Sequence, residues 1–230
     1  MKIFFSLLIV FFTTALFAQR EHHADLTYSY GKYSNTVSGN VVKNFKLLKS
    51  EKLHLGVGAR AGYVQGFIGN TFLTAPAKHK KSGDGIDTIF VLNPMFLSIN
   101  LTLNASYHFT PEWSVGANID AIGFTFGKKR NSDYFPSFAS QNEETPRTKL
   151  INEQVKPTQN NFLLIGNNNK GTIYSEVFAR YRYKERYSLK VGYSFITTEY
   201  ATKNRVGHNN NYRFRNTSGQ ILIGFGYSFI

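Results

Sequence analysis

The chain of 230 residues has no cysteine, a single tryptophan, two methionines and six prolines. Without cysteine there is no disulfide scaffold, no thiolate metal site and no lipidated amino-terminal cysteine. After Arg20 no apolar run reaches about 18 residues, so that part of the chain holds no transmembrane helix. Acidic residues are scarce as well. Asp and Glu number 14 against 27 Lys and Arg, a formal net charge of +13. Such an excess suggests a polyanionic partner. Nucleic acid is excluded by the amino end, which reads as an export signal. Lys2 supplies the positive charge, Ile3 to Phe12 the apolar run and Thr13 to Ala18 a small-residue exit. Cleavage is expected after Ala18, giving a signal peptide over 1–18 and one domain over 19–230. An uncleaved membrane helix is disfavoured because the run is short and Gln19, Arg20 and Glu21 end it.

Aromatic residues and glycine, by contrast, are plentiful, with 14 Tyr, 21 Phe and 19 Gly. Their arrangement has a period of two. From Met95 to Phe109 one parity reads Met95, Leu97, Ile99, Leu101, Leu103, Ala105, Tyr107, Phe109. The other reads Ser98, Asn100, Thr102, Asn104, Ser106, His108. Successive side chains of a strand point to opposite faces, so this segment has one apolar and one polar face. A helix would place Asn100 and Asn104 among Leu97 and Leu101. The same alternation occurs at 53–63, 113–121, 173–183, 187–195, 220–229 and, more briefly, from Asp25 to Gly31. Val41 to Leu48 is the weakest case, since Lys43 shares a parity with Phe45 and Leu47. Around Ile122, Phe124 and Phe126 the apolar parity switches, which implies a bulge or the edge of the apolar belt.

The connections alternate in length. Lys49 to Lys52, Thr110 to Trp113 and Lys184 to Arg186 read as tight turns. Ser34 to Gly39, Gly66 to Pro94, Lys128 to Lys170 and Ala201 to Arg213 read as longer, mobile polar loops. The 128–170 loop is too long for a plain connection, and Asn161 to Gly166 within it is expected to extend a strand or fold back as a lid. About eight strands result, an even number, with both chain ends on the short-turn side. The expected fold is all-β, an eight-stranded antiparallel up-and-down transmembrane β-barrel with its apolar parity outward. A soluble, lipocalin-like barrel would reverse the faces. It is disfavoured because the polar parity holds mostly Gly, Ser, Asn and Thr, where a water-facing surface carries more charge.

With its export signal, alternating strands and Tyr227-Ser228-Phe229-Ile230 ending, the chain resembles the small eight-stranded outer-membrane barrels of Gram-negative bacteria, such as the OmpA transmembrane domain and OmpX. The resemblance spans the mature chain and is architectural. It implies the bacterial outer membrane, contact with membrane lipid and lipopolysaccharide, and recognition of a terminal aromatic by the barrel-assembly machinery. Here that aromatic is Phe229, with Ile230 after it.

The candidate functional residues fall into three groups. Arg60, Asp120, Glu176, Arg180, Arg182 and Lys190, with Asp25, His54 and His108, lie on the polar parity. An eight-stranded interior is just wide enough for side chains, and buried charges must be paired. These residues are therefore expected as an ion-pair network plugging the lumen, the alternative being a gated pore or proton path. Tyr63, Phe109, Trp113, Tyr183, Tyr187 and Phe229, with Tyr30, Tyr33 and Tyr200, are expected at the two membrane interfaces. Lys80, Lys81, Lys128, Lys129 and Arg130, with Arg213 and Arg215, are expected as basic surface loops able to meet lipopolysaccharide phosphates or another surface ligand, or else as solvated loops. No catalytic residue, metal or cofactor is expected. His208 lacks the neighbouring serine that lipid A-modifying barrels use, and His22-His23 reads as a solvated tail. The leading reading is a non-enzymatic envelope or adhesion protein. A narrow channel, or a carrier for small hydrophobic molecules favoured if Ile122, Phe124 and Phe126 line the lumen, comes second. Lipid A modification is third.

Overall fold

A computed structural model describes residues 20–47, 52–67, 72–74, 87–135, 150–164, 169–206 and 211–229. The expected signal segment 1–18, Lys80, Lys81, His208 and most of the 49–52 turn lie outside them. The described residues form β1 (Arg20–Gly31), β2 (Ser34–Leu47), β3 (Leu53–Gly66), β4 (Phe72–Thr74), β5 (Thr88–Val91), β6 (Met95–His108), β7 (Trp113–Phe126), β8 (Arg130–Phe135), β9 (Leu150–Pro157), β10 (Asn160–Phe162), β11 (Ile173–Tyr183), β12 (Tyr187–Val206) and β13 (Asn211–Phe229). All belong to one 13-stranded sheet, more strands than sequence alternation suggests.

The long strands pair antiparallel in the order β1, β2, β3, β6, β7, β11, β12, β13, and β13 pairs back to β1 from His22 opposite Phe229 to Gly31 opposite Gln220. The sheet therefore closes and has no free edge along this ring. Closure separates the two parities of every strand. Outward-facing Leu26, Val41, Ile99, Leu101, Leu103, Val177, Leu189, Ile221 and Phe225 are exposed, Ile221 at 71%. Inward-facing Thr27, Ser38, Asn40, Asn100, Thr102, Asn118, Ser194 and Gln220 are buried. The apolar parity faces out and the polar parity is enclosed.

Two expectations are corrected here, and the parity switch at Ile122 is accounted for by a bulge. Ser34 to Gly39 is strand, not loop. Only Lys32 and Tyr33 separate β1 from β2, and Val37 faces out between inward Thr36 and Ser38. Small polar residues that resemble loop composition are what a crowded interior face requires. Ile122, Phe124 and Phe126 do not face the lumen. Leu101 pairs with Ile122 whereas Thr102 pairs with Asp120, so Ala121 is an extra residue that flips the parity beyond it, and all three side chains are exposed outside. The 128–170 segment is, as its length implies, no plain connection, since it holds β8, β9 and β10, whereas the polar loops expected at 66–94 and 201–213 also contain strand, β4 and β5 in the first and the ends of β12 and β13 in the second.

Those connections build a second closed ring at one end of the first. β12 pairs with β9, β9 with β8, β8 with β5, β5 with β4, and β4 with β13, which is already paired with β12. Its interior is apolar. Leu73, Ile89, Val91, Tyr134, Val155, Tyr200, Val206 and Phe214 pack there with Val64, Phe96, Tyr174 and Ile196 from the end of the first ring. We call this second ring the cap. β12 and β13 run through both.

The seam between the rings lies where β11 leaves β7. Their pairing ends at Ser175 opposite Ile119, and β10 takes the same edge of β7 above it, Phe162 opposite Ile122 to Asn160 opposite Phe124. The amides freed by this divergence donate to side chains instead, Tyr174 N to Asp120 Oδ2 at 3.3 Å and Thr172 N to Asn161 Oδ1 at 2.8 Å. The chain turns into β11 at Gly171, whose φ is +74°. A Cβ there would stand 2.2 Å from Asn161 Oδ1 and 2.5 Å from the Asn160 carbonyl oxygen. Gly171→Ala is therefore expected to lower stability by about 1–3 kcal/mol, read from urea unfolding of the micelle-refolded protein.

Candidate functional site

The interior of the first ring holds three carboxylates, Asp25, Asp120 and Glu176, and three strong cations, Arg60, Arg180 and Lys190, all buried. Their meeting follows from register. Glu176 on β11 stands opposite Asn118 on β7 and Ser194 on β12, while Arg180 stands opposite Lys190. Like charges facing each other repel, so each is paired with an anion, Asp25 reaching in from β1 and Glu176 lying diagonally on β11. Lys190 Nζ lies 2.5 Å from Glu176 Oε1 and 3.6 Å from Asp25 Oδ2. Arg180 Nη2 donates to both oxygens of Asp25, at 3.0 and 2.7 Å.

Glu176 is the centre of the network. Its Oε1 accepts from Arg60 Nη2 at 3.1 Å, Lys190 Nζ at 2.5 Å and Asn118 Nδ2 at 2.5 Å. Arg60 also places Nη1 3.4 Å from Asp120 Oδ1. Asp120 accepts in addition from Asn100 at 2.7 Å and Thr102 at 3.0 Å. An amide relay continues toward the cap, with Asn161 donating to Asn100 Oδ1 at 2.8 Å and Thr125 donating to Asn161 Oδ1 at 3.0 Å. Aromatic faces complete the cations' surroundings. Lys190 Nζ lies 4.4 Å and the Arg180 guanidinium 5.1 Å from the Phe178 ring centroid, and the Arg60 guanidinium 4.3 Å from that of Tyr174.

Arg182 stands apart from this buried set. It is partly exposed at the short-turn end and pairs with Glu21. His54 and His108 are at the same end, their rings stacked with centroids 4.1 Å apart. Glu21 Oε2 lies 3.5 Å from His54 Nδ1. His22 and His23 are not a solvated tail but part of β1, whose inward parity carries His23 into the ring, buried beside Asn44 and Asp25 at 3.3 and 3.6 Å.

Phe109, Trp113, Tyr183, Tyr187 and Phe229 are exposed at the short-turn end of the outer wall. They form part of a near-continuous aromatic band, with Tyr107–Phe109 at 5.2 Å, Trp113–Tyr181 at 4.9 Å, Tyr187–Tyr227 at 5.6 Å and Tyr227–Phe229 at 5.1 Å between centroids. Tyr30 and Tyr63 are exposed toward the cap end. Tyr200 is not on that outer surface. It has the inward parity of β12 and lies wholly buried in the cap core, edge-on to Phe96 at 6.2 Å.

Of the basic residues, Lys128 and Lys129 are exposed and Arg130 begins β8, partly buried. Arg213 and Arg215 are not solvated loop charges. Arg213 grips both oxygens of buried Glu199 at 2.8 and 2.7 Å, and Arg215 reaches the same carboxylate at 2.9 Å. Arg215 and Arg213 also donate to the Asn169 carbonyl.

Sequence reasoning missed Phe178, Tyr174, Glu199 and Glu21. The first two carried a signal, being aromatics on the charged parity of β11, where a cation needs a ring. Glu199 and Glu21 carried none, because their partners come from other strands.

No family model and no curated protein matches the chain. Among solved structures it is similar to the N-terminal β-barrel domain of Pseudomonas aeruginosa OprF, at 12% identity over 92% of this chain and 99% of that one, TM-score 0.37. It is similar to Neisserial surface protein A at 7% identity over 91% and 97%, TM-score 0.42. It is also similar to Ail, the attachment invasion locus protein of Yersinia pestis, at 9% identity over 91% and 96%, TM-score 0.33. These are small outer-membrane β-barrels, and the resemblance is one of architecture.

Removing Arg60 strips a cation from both Asp120 and Glu176 at once. Arg60→Met is expected to cost about 3–5 kcal/mol. In the Arg60→Met/Asp120→Asn double variant the two losses should sum to less than their separate values, because the carboxylate stranded by the first change is neutralised by the second. Urea unfolding of the four proteins closes the cycle.

Proposed function

We propose that the chain is a non-enzymatic bacterial outer-membrane protein whose eight ring strands, β1, β2, β3, β6, β7, β11, β12 and β13, cross the bilayer, with a plugged lumen below a folded surface cap. The observation that carries this reading is the inside-out distribution of polarity. Exposed Leu, Ile, Val and aromatic side chains cover the outer wall, while paired charges fill the inside. Water would leave that apolar wall uncompensated, whereas hydrocarbon suits it. The aromatic band at the short-turn end suits the headgroup region. Segment 1–18 would direct export and be cleaved after Ala18, and Phe229 would serve recognition by the assembly machinery. The short turns would face the periplasm and the cap the outside.

Two features support a plug over a channel. The buried charges of the ring balance, three of each sign, and each lies against an opposite charge. The cap interior above them is packed with large apolar side chains. Ions would meet a neutralised stretch and then a dry one. The same pairing disfavours catalysis, because Asp25, Glu176 and Glu199 are held by guanidinium or ammonium groups and make poor general bases. What remains is an envelope role, with integrity or surface binding through the cap. Lipopolysaccharide phosphates are the partner class that exposed Lys128 and Lys129 would suit, and nucleic acid is not one.

The protein is expected to partition into detergent and, in planar bilayers or liposomes, to give no conductance above the lipid baseline. Glu176→Gln should leave that baseline unchanged. Discrete open-channel steps from the wild-type chain would overturn the plug, and solubility without detergent would overturn the membrane reading.

A further inference from the structure

Glu21, His54 and His108 offer ligand atoms that all lie within 4.8 Å of one another at the short-turn mouth of the ring. We propose that this trio binds a borderline divalent cation of the Zn2+, Ni2+ or Cu2+ class, clamping β1 to β3 and β6 across the mouth.

Geometry carries the assignment. Two ligand atoms held about 2.0–2.1 Å from a tetrahedral Zn2+ are about 3.3 Å apart. Glu21 Oε2 and His54 Nδ1 are 3.5 Å apart as they stand. His108 follows on β6 from Ser106, the residue opposite His54, and its ring stacks on His54. Its ligand nitrogen lies within 4.8 Å of the other two ligand atoms, so on binding the two imidazoles would converge by side-chain adjustment. Two imidazoles and a carboxylate form a nitrogen and oxygen donor set that favours late first-row cations over Mg2+ or Ca2+. The trio also has an entry path, since His108 and Glu21 are partly exposed while His54 is buried. The other carboxylate oxygen of Glu21 is engaged by Arg182, which leaves Oε2 as the oxygen open to a metal.

The neighbourhood also opposes a cation. Arg182 is in contact with Glu21, Lys46 pairs in register with His54, and Arg180 adds positive charge from β11. Affinity is therefore set by competition. Removing the Arg182 charge should tighten binding, whereas a clamp that relied on Arg182 for positioning alone would weaken.

The test titrates the mature chain, folded in detergent micelles, with Zn2+ alone by calorimetry and with Cu2+ by electron paramagnetic resonance. The expected result is one saturable Zn2+ per chain and nitrogen coupling in the Cu2+ spectrum. His54→Ala and His108→Ala should each weaken Zn2+ by at least about tenfold, His22→Ala should have no effect, and Arg182→Gln should bind more tightly. No saturable binding to the wild type, unchanged binding in the His54→Ala/His108→Ala double variant, or loss on His22→Ala overturns the site. Should the histidine variants fail to fold, diethyl pyrocarbonate labelling of the wild type decides. Zn2+ protection of the partly exposed His108 supports the clamp, and its absence overturns it.

Discussion

The pairing of β1 with β13 is the constraint on which the rest of the structure depends. An open sheet of alternating strands has two faces and two edges, and either face could seek water. Once His22 lies against Phe229 and Gly31 against Gln220, the edges vanish and the faces become an inside and an outside. The narrow ring gives the inside to small and polar side chains. Every large apolar residue of the other parity is then left on the exterior, where only a nonaqueous surrounding accommodates it.

Closure also dictates the electrostatics. Groups that would be solvated on an open sheet are forced into a shared space a few side chains wide. Glu176 meets Arg60 from β3, Lys190 from β12 and Asn118 from β7 because the ring brings those strands around it. Such a cluster is costly to desolvate and stable only when complete, so it specifies one arrangement of the strands more than it adds free energy. The cap differs in kind. Its interior is Leu73, Ile89, Tyr134, Tyr200 and Phe214, an ordinary apolar core that happens to sit atop a polar one.

The ring was largely legible in the sequence because most of its strands, β1 and β2 aside, carry a long local record. Leu97, Ile99, Leu101 and Leu103 against Ser98, Asn100, Thr102 and Asn104 leave little choice of element or of facing. The cap was not legible. β4, β5 and β8 are too short to show a period, and their partners are remote: Thr74 pairs with Arg215 and Val91 with Ser132. Tyr200 was misplaced for the same reason, since a tyrosine near a strand end reads as interfacial unless the strand is known to continue into another core. In the ring itself, the composition of Ser34 to Gly39 misled. Which polar residues share the interior follows from parity, but which of them touch follows from register across the lumen, and no single strand records that.

β12 and β13 are common to both rings, lining the polar interior of the first with Lys190, Ser194 and Gln220 and the apolar interior of the cap with Tyr200 and Phe214. Neither ring is closed without this hairpin, so the two compartments share one closing element. Without it the six remaining ring strands would have two open edges, and β9 and β4 would lose their pairing to β12 and β13. Loss of this hairpin would therefore open both compartments at once.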